Sequence, residues 1–106
     1  MAEYEVILLK AAFSDLDEIF DYIMVENPPA AADMLENIMQ SLDSVSSHPF
    51  AGPALPEHSL NRFHFRIAVI SPYIAFYRVI GRKTLVYRIF HGARYYPNLL
   101  KDTLSG

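Results

Sequence analysis

Apolar residues change their spacing several times along the chain, and each change marks an element. Tyr4-Glu5-Val6-Ile7-Leu8-Leu9 turns almost wholly apolar toward its end, which predicts a short strand lying inside a sheet. From Ala11 the period becomes helical. Leu16, Ile19, Phe20, Ile23 and Met24 form one stripe, with Asp15, Asp17, Glu18 and Asp21 on the other side. The early carboxylates suit the positive end of a helix dipole, and Ser14 offers a cap if the helix starts late. Asn27-Pro28-Pro29 ends this first helix, and proline, favoured at a first helical position, starts the next. The second stripe, Ala31, Met34, Leu35, Ile38, Leu42 and Val45, is about four turns long. So short a connection predicts an antiparallel helical hairpin.

Ser46-Ser47-His48-Pro49 closes the second helix, and Phe50 to Ser59, with Gly52, Pro53 and Pro56, is expected to be an irregular loop. Phe63, Phe65 and Ile67 then alternate with Arg62, His64 and Arg66, predicting a strand with one buried and one polar face. Tyr73 to Ile80 and Thr84 to Phe90, rich in aromatic and β-branched residues, flank Gly81-Arg82-Lys83 and predict a β-hairpin. It leaves through His91-Gly92-Ala93-Arg94, and Asn98 to Leu104 suffices for a short helix carrying Leu99, Leu100 and Leu104. The order is βααβββα. It is an α+β fold with an N-terminal strand, a helical hairpin, a three-stranded antiparallel sheet and a short C-terminal helix.

At 106 residues the chain is expected to form a single domain, 1–106. It has no cysteine, which excludes disulfides and thiolate metal sites. Glu3, Glu5 and Lys10 interrupt the one early apolar run, so neither a signal pattern nor a membrane span is expected, and the protein is read as soluble and cytoplasmic. The net charge of −3 conceals a division. Met1 to Glu57 carries −10, and His58 to Gly106 carries +7. A basic half of this kind suits an acidic partner, unless the two halves merely neutralise each other in the fold.

The order of elements, the runs DLDEIFDYI, PPAAADMLENI, HPFAG and YIAFYRVI, and above all YRIFHGARYY resemble the ParE/RelE superfamily of bacterial type II toxins. The resemblance covers nearly the whole chain, and its weight lies in the order and spacing of motifs that are individually weak. It implies the toxin half of a toxin–antitoxin pair, of the kind associated with plasmid stabilisation, with one of two activities. RelE-like members cut messenger RNA on the ribosome; ParE-like members inhibit DNA gyrase by binding it.

RNA cleavage needs groups that deprotonate a 2′-hydroxyl, protonate a leaving oxygen and neutralise phosphate. His91, Arg94, Tyr95, Tyr96 and Arg66 could supply them, and the expected topology places them near one another. Against this, Ile74 stands where RelE-like sequences place an arginine, and His64 and Arg66 stand where that branch has lysines. The pI of 5.7 is also low for a ribosome-binding protein. The ParE-like branch is therefore favoured: a gyrase inhibitor needing no cofactor, metal or direct nucleic-acid contact.

Each residue also has a plainer role open to it. His91 can end a strand, Arg94 can anchor the C-terminal segment, and Tyr73 and Tyr77 can be core residues with satisfied hydroxyls. Arg78 and Arg88 share strand parity with Ile74, Phe76, Val86 and Phe90, predicting a mixed apolar and basic face. Such a face suits the acidic amphipathic segment of a cognate antitoxin, which in this family folds on binding. The expected antitoxin or target contacts are Arg66, Ile74, Phe76, Arg78, Arg88, Phe90 and Arg94. A binding module of the same fold that has lost toxicity is a further alternative.

Overall fold

The computed structural model of the chain describes residues 4–50 and 64–92. The elements are β1 (Glu5–Leu8), α1 (Lys10–Glu26), α2 (Pro28–Ser47), β2 (Arg66–Ile70), β3 (Tyr73–Ile80) and β4 (Lys83–His91). They form a four-stranded sheet in the order β1-β4-β3-β2, with both helices packed on one face. The loop expected over Phe50 to Ser59 lies, beyond Phe50 itself, outside the described residues, as does the expected C-terminal helix.

β1 is an edge strand and pairs parallel to β4, so the sheet is mixed rather than purely antiparallel. Its apolar run reflects half-burial of both its faces, not a neighbour on both edges. A single residue, Leu9, separates β1 from α1, and its N–H donates to the Val86 carbonyl at 3.0 Å. That bond fixes the helix start against the sheet. Helix α1 therefore begins earlier than Ser14, which lies inside it; Leu9 gives no side-chain cap and no carboxylate falls in the first turn. Asp15, expected on the solvent side, is only 8% exposed.

Asn27 separates the helices and serves both. Its N–H donates to the Ile23 carbonyl at 2.8 Å, and its Oδ1 accepts from the Ala30 N–H at 3.2 Å, capping α2 ahead of Pro28 and Pro29. Ala31, Ile38 and Leu42 are buried, with Met34, Leu35 and Val45 packed around them, as the helical spacing requires. With Ala12 and Leu16 of α1 they cover Ile70, Ala75, Tyr77, Val86 and Ile89 of the sheet. Burying such side chains contributes about 1.5–3 kcal/mol each before ordering entropy is subtracted.

β2 begins at Arg66, later than the alternation suggests, because His64 sits at φ 60 and interrupts the extended backbone. Arg62 and Phe63 lie outside the described residues. β3 and β4 pair antiparallel around a tight turn at Gly81-Arg82, where Gly81 takes φ 62, a left-handed conformation costly to other residues. Ser71-Pro72 joins β2 to β3, and the Gly92 N–H donates to the Pro72 carbonyl at 2.8 Å. A Cβ on Gly92 would lie 3.2 Å from that oxygen, so the close approach favours glycine.

Tyr77 opposes Val86, whereas Phe76 opposes Arg88. Tyr87 is thus an extra residue in β4, a bulge that reverses side-chain parity along the strand. Val86 faces the helices, although simple alternation groups it with Arg88 and Phe90.

Candidate functional site

The register sorts the predicted residues onto two faces. Tyr73, Ala75 and Tyr77 pack toward the helices, so Ile74, Phe76 and Arg78 lie on the far face, joined by their partners Phe90 and Arg88. Arg66 opposes Tyr77 and belongs to the helix side. There its Nη1 donates to the Phe50 carbonyl at 3.2 Å and its guanidinium lies 5.2 Å from the Phe50 ring centre, beside the Tyr77 hydroxyl's 2.8 Å bond to the Pro49 carbonyl. Arg66 thus holds the chain leaving α2 and does not share a surface with Arg78 and Arg88.

The far face is a set of arginines laid on aromatic rings. Arg78 sits 5.9 Å from the Phe65 ring centre and 5.8 Å from that of Tyr87, and donates to the Tyr87 hydroxyl at 3.2 Å. Phe65 and Tyr87 meet edge to face at 5.1 Å, and Phe76 and Phe90 lie 5.6 Å apart. Phe76 and Phe90, expected among contact residues, are 0% and 2% exposed, so they pack the sheet. Ile74 and Arg78 are half-buried, and the Arg78 Nε is buried without a hydrogen-bond partner. The Arg78 guanidinium is thus held over two rings with part of its donor set unused and out of reach of solvent.

Arg88 is placed otherwise. Its guanidinium stacks 4.5 Å from the Phe90 ring centre and its fork reaches round the sheet to Asp15, Nε to Oδ2 at 2.6 Å and Nη2 to Oδ1 at 2.8 Å. The Ile89 N–H also donates to Asp15 Oδ2, at 3.0 Å. β1 pairs only with Lys83 to Val86, so β4 has an open edge beyond Val86, and the α1 carboxylate closes it. Donation of these hydrogen bonds to Asp15 raises the Arg88 pKa; burial opposes this, and the nearby charges of Asp15 and Glu18 add to it.

Sequence reasoning passed over Asp15 because three acidic neighbours masked it. Its signal was the spacing Ala12, Asp15, Leu16, Ile19, which puts it on the buried stripe.

His91 ends β4 opposite Tyr73, and their rings meet edge to face at 5.7 Å. Burial, with a smaller contribution from Tyr22, pushes the Tyr73 phenol above its ordinary value. His91 and Arg66 do not come together: two strands and four residues of register separate them, about 16 Å at ordinary sheet spacings. Arg94, Tyr95 and Tyr96 lie outside the described residues. Among the described residues no group of three or more His, Asp or Glu could hold a metal ion, and no helix is long and apolar enough to cross a membrane.

Comparison with known proteins agrees with this architecture. Residues 6–96 match the family described as ParE toxin of type II toxin-antitoxin system, parDE. No curated protein matches. Among solved structures, the chromosomal ParDE TA system from P. aeruginosa is similar with a TM-score of 0.69 and 21% identity. The alignment covers 84% of this chain and 96% of that one, and at that identity the likeness concerns the fold. With the family match spanning most of its length, the chain belongs to the ParE toxin family of type II toxin–antitoxin systems.

Proposed function

We propose that this protein, acting as one domain, binds DNA gyrase directly and inhibits it without cofactor or covalent chemistry, and that a cognate antitoxin neutralises it. The observation that favours gyrase binding over RNA cleavage is the separation of Arg66 from His91. Cleavage of a phosphodiester by an adjacent 2′-hydroxyl needs acid, base and cation within hydrogen-bond reach of one phosphate. Arg66 instead bonds the Phe50 carbonyl on the helix side, and Arg88 is committed to Asp15.

The antitoxin surface in this reading is the far face of the sheet around Arg78 and Ile74. Arg78 there is a partly exposed cation beside the partly exposed aliphatic side chain of Ile74. An acidic amphipathic segment matches both features. The reading also implies a cytoplasmic protein, since the target acts on chromosomal and plasmid DNA.

The test is a supercoiling assay with purified protein, its host's gyrase, relaxed plasmid and ATP. Loss of supercoiling with accumulation of cleaved plasmid supports the proposal. Full supercoiling at an excess of folded protein overturns it, and translation-dependent mRNA cleavage, with His91 and Arg94 substituted first, becomes the next assay. Unimpaired growth of the host under inducible expression would instead favour a non-toxic binding module.

A further inference from the structure

A cavity of about 340 Å³ opens where the first turns of α2 meet the joint between β2 and β3. Ile38 and Ile70, both buried, form its floor, with Ile23 of α1 and Met34 of α2 beside them. The polar atoms come from two sides. Asp33 and Asn37, one turn apart on α2, supply one, and Ser71 and Tyr73 of the strand joint supply the other. A space of this size, near the lower end of the ~300–1,000 Å³ typical of small-molecule sites, suits a compact amphipathic molecule.

The four polar side chains are uncommitted: among the described residues none of them has a hydrogen bond or an ion pair, although Tyr73 is half-buried. What surrounds them decides the charge of a ligand. Among the described residues no Lys, Arg or His lines the cavity. Asp33 is its one ionised side chain at neutral pH, since burial and Tyr22 hold the Tyr73 phenol in its neutral form. The adjoining start of α2 offers an anion no donor. Pro28 and Pro29 have no N–H, the Ala30 N–H is taken by Asn27 Oδ1, and the Ala31 N–H by the Asn27 carbonyl at 3.1 Å. An ammonium group answers the whole set. It carries three N–H donors and no acceptor, while a carboxylate, a carboxamide oxygen and a neutral phenol oxygen all accept.

We propose that this cavity is a binding site for a small primary alkylammonium ion, its head held by Asp33, Asn37 and the Tyr73 hydroxyl and its stem laid on Ile38 and Ile70. Such a ligand touches α1, α2 and the sheet together, so its binding stabilises the fold by mass action. The inference stands whether or not gyrase is the target.

NMR titration of the isotope-labelled protein with pentylammonium, pentanol and hexanoate tests this, because the three share one stem and differ in the head. Pentylammonium should shift the amide signals of Asp33 to Ile38 and of Ile70 to Tyr73, saturate, and bind at least tenfold more tightly than either twin. Asp33→Asn should weaken it at least tenfold and Tyr73→Phe at least threefold. Asp33 is exposed and Tyr73→Phe keeps the ring, so both variants should retain the fold, which circular dichroism melts check. Equal or tighter binding of pentanol or hexanoate would overturn the proposal. So would the lack of saturable shifts at these residues with pentylammonium, or an affinity indifferent to Asp33→Asn in a folded variant.

Discussion

Asp15 binds three groups with one carboxylate: the two arms of the Arg88 fork and the Ile89 N–H. Side-chain exposure of 10% for Asp15 and 19% for Arg88 leaves little water to replace either partner. Asp15→Ala should therefore cost about 3 kcal/mol in urea unfolding, since it removes the carboxylate that the half-buried Arg88 fork and the Ile89 N–H both donate to. Arg88→Ala should cost a similar amount, and the double variant should lose much less than the two singles added. A loss below about 0.5 kcal/mol for Asp15→Ala would show the pair to be incidental.

Tyr73 carries a pH dependence of definite sign. Its folded-state pKa is raised above the unfolded value, by burial first and Tyr22 second. The neutral phenol thus stabilises the fold fully below about pH 10, and that contribution is lost as pH rises from there through the folded value. Tyrosinate absorbance should show one group titrating late, and Tyr73→Phe should remove it and flatten the alkaline decline in stability. A titration curve unchanged by Tyr73→Phe would refute this.

At the scale of elements, the joints carry the local information. Asn27 is the sole residue between α1 and α2, and its side chain caps the second. Asn27→Ala should cost about 1 kcal/mol, and Asn27→Asp should restore most of it, in urea unfolding. These joints were legible in the sequence because proline, asparagine and glycine act on their own backbone. The start of α1 and the bulge at Tyr87 were not: a bond from Leu9 to Val86 sets the one, and the match of β4 to β3 sets the other. The start of β2 was missed through His64, whose left-handed backbone no periodicity signals.

Over the whole molecule, the division of charge along the sequence becomes a division between layers. The acidic stretch contributes α1 and α2, and the basic stretch contributes β2, β3 and β4. Asp15 and Arg88 are where the two layers join through charge. The arginines consequently differ in what their loss does. Arg78→Glu should leave the melting temperature within a few degrees and weaken antitoxin binding at least tenfold by calorimetry. Arg88→Glu should instead prevent stable folding, because it sets a carboxylate against Asp15. If Arg78→Glu binds antitoxin like the parent, the far face of the sheet is not the antitoxin surface.

The sequence by itself determined the order of the six described elements, the helical hairpin, the turn at Gly81 and the family, because periodicity, turn chemistry and motif order are properties of neighbouring residues. Tertiary structure decided which strand edge α1 would close, on which face Arg66 would lie, and that Phe76, Phe90 and Arg88 would be taken up in packing. Those outcomes depend on residues such as Asp15 and Arg88, 73 positions apart, whose meeting depends on register and on a bulge that alternation along one strand does not encode.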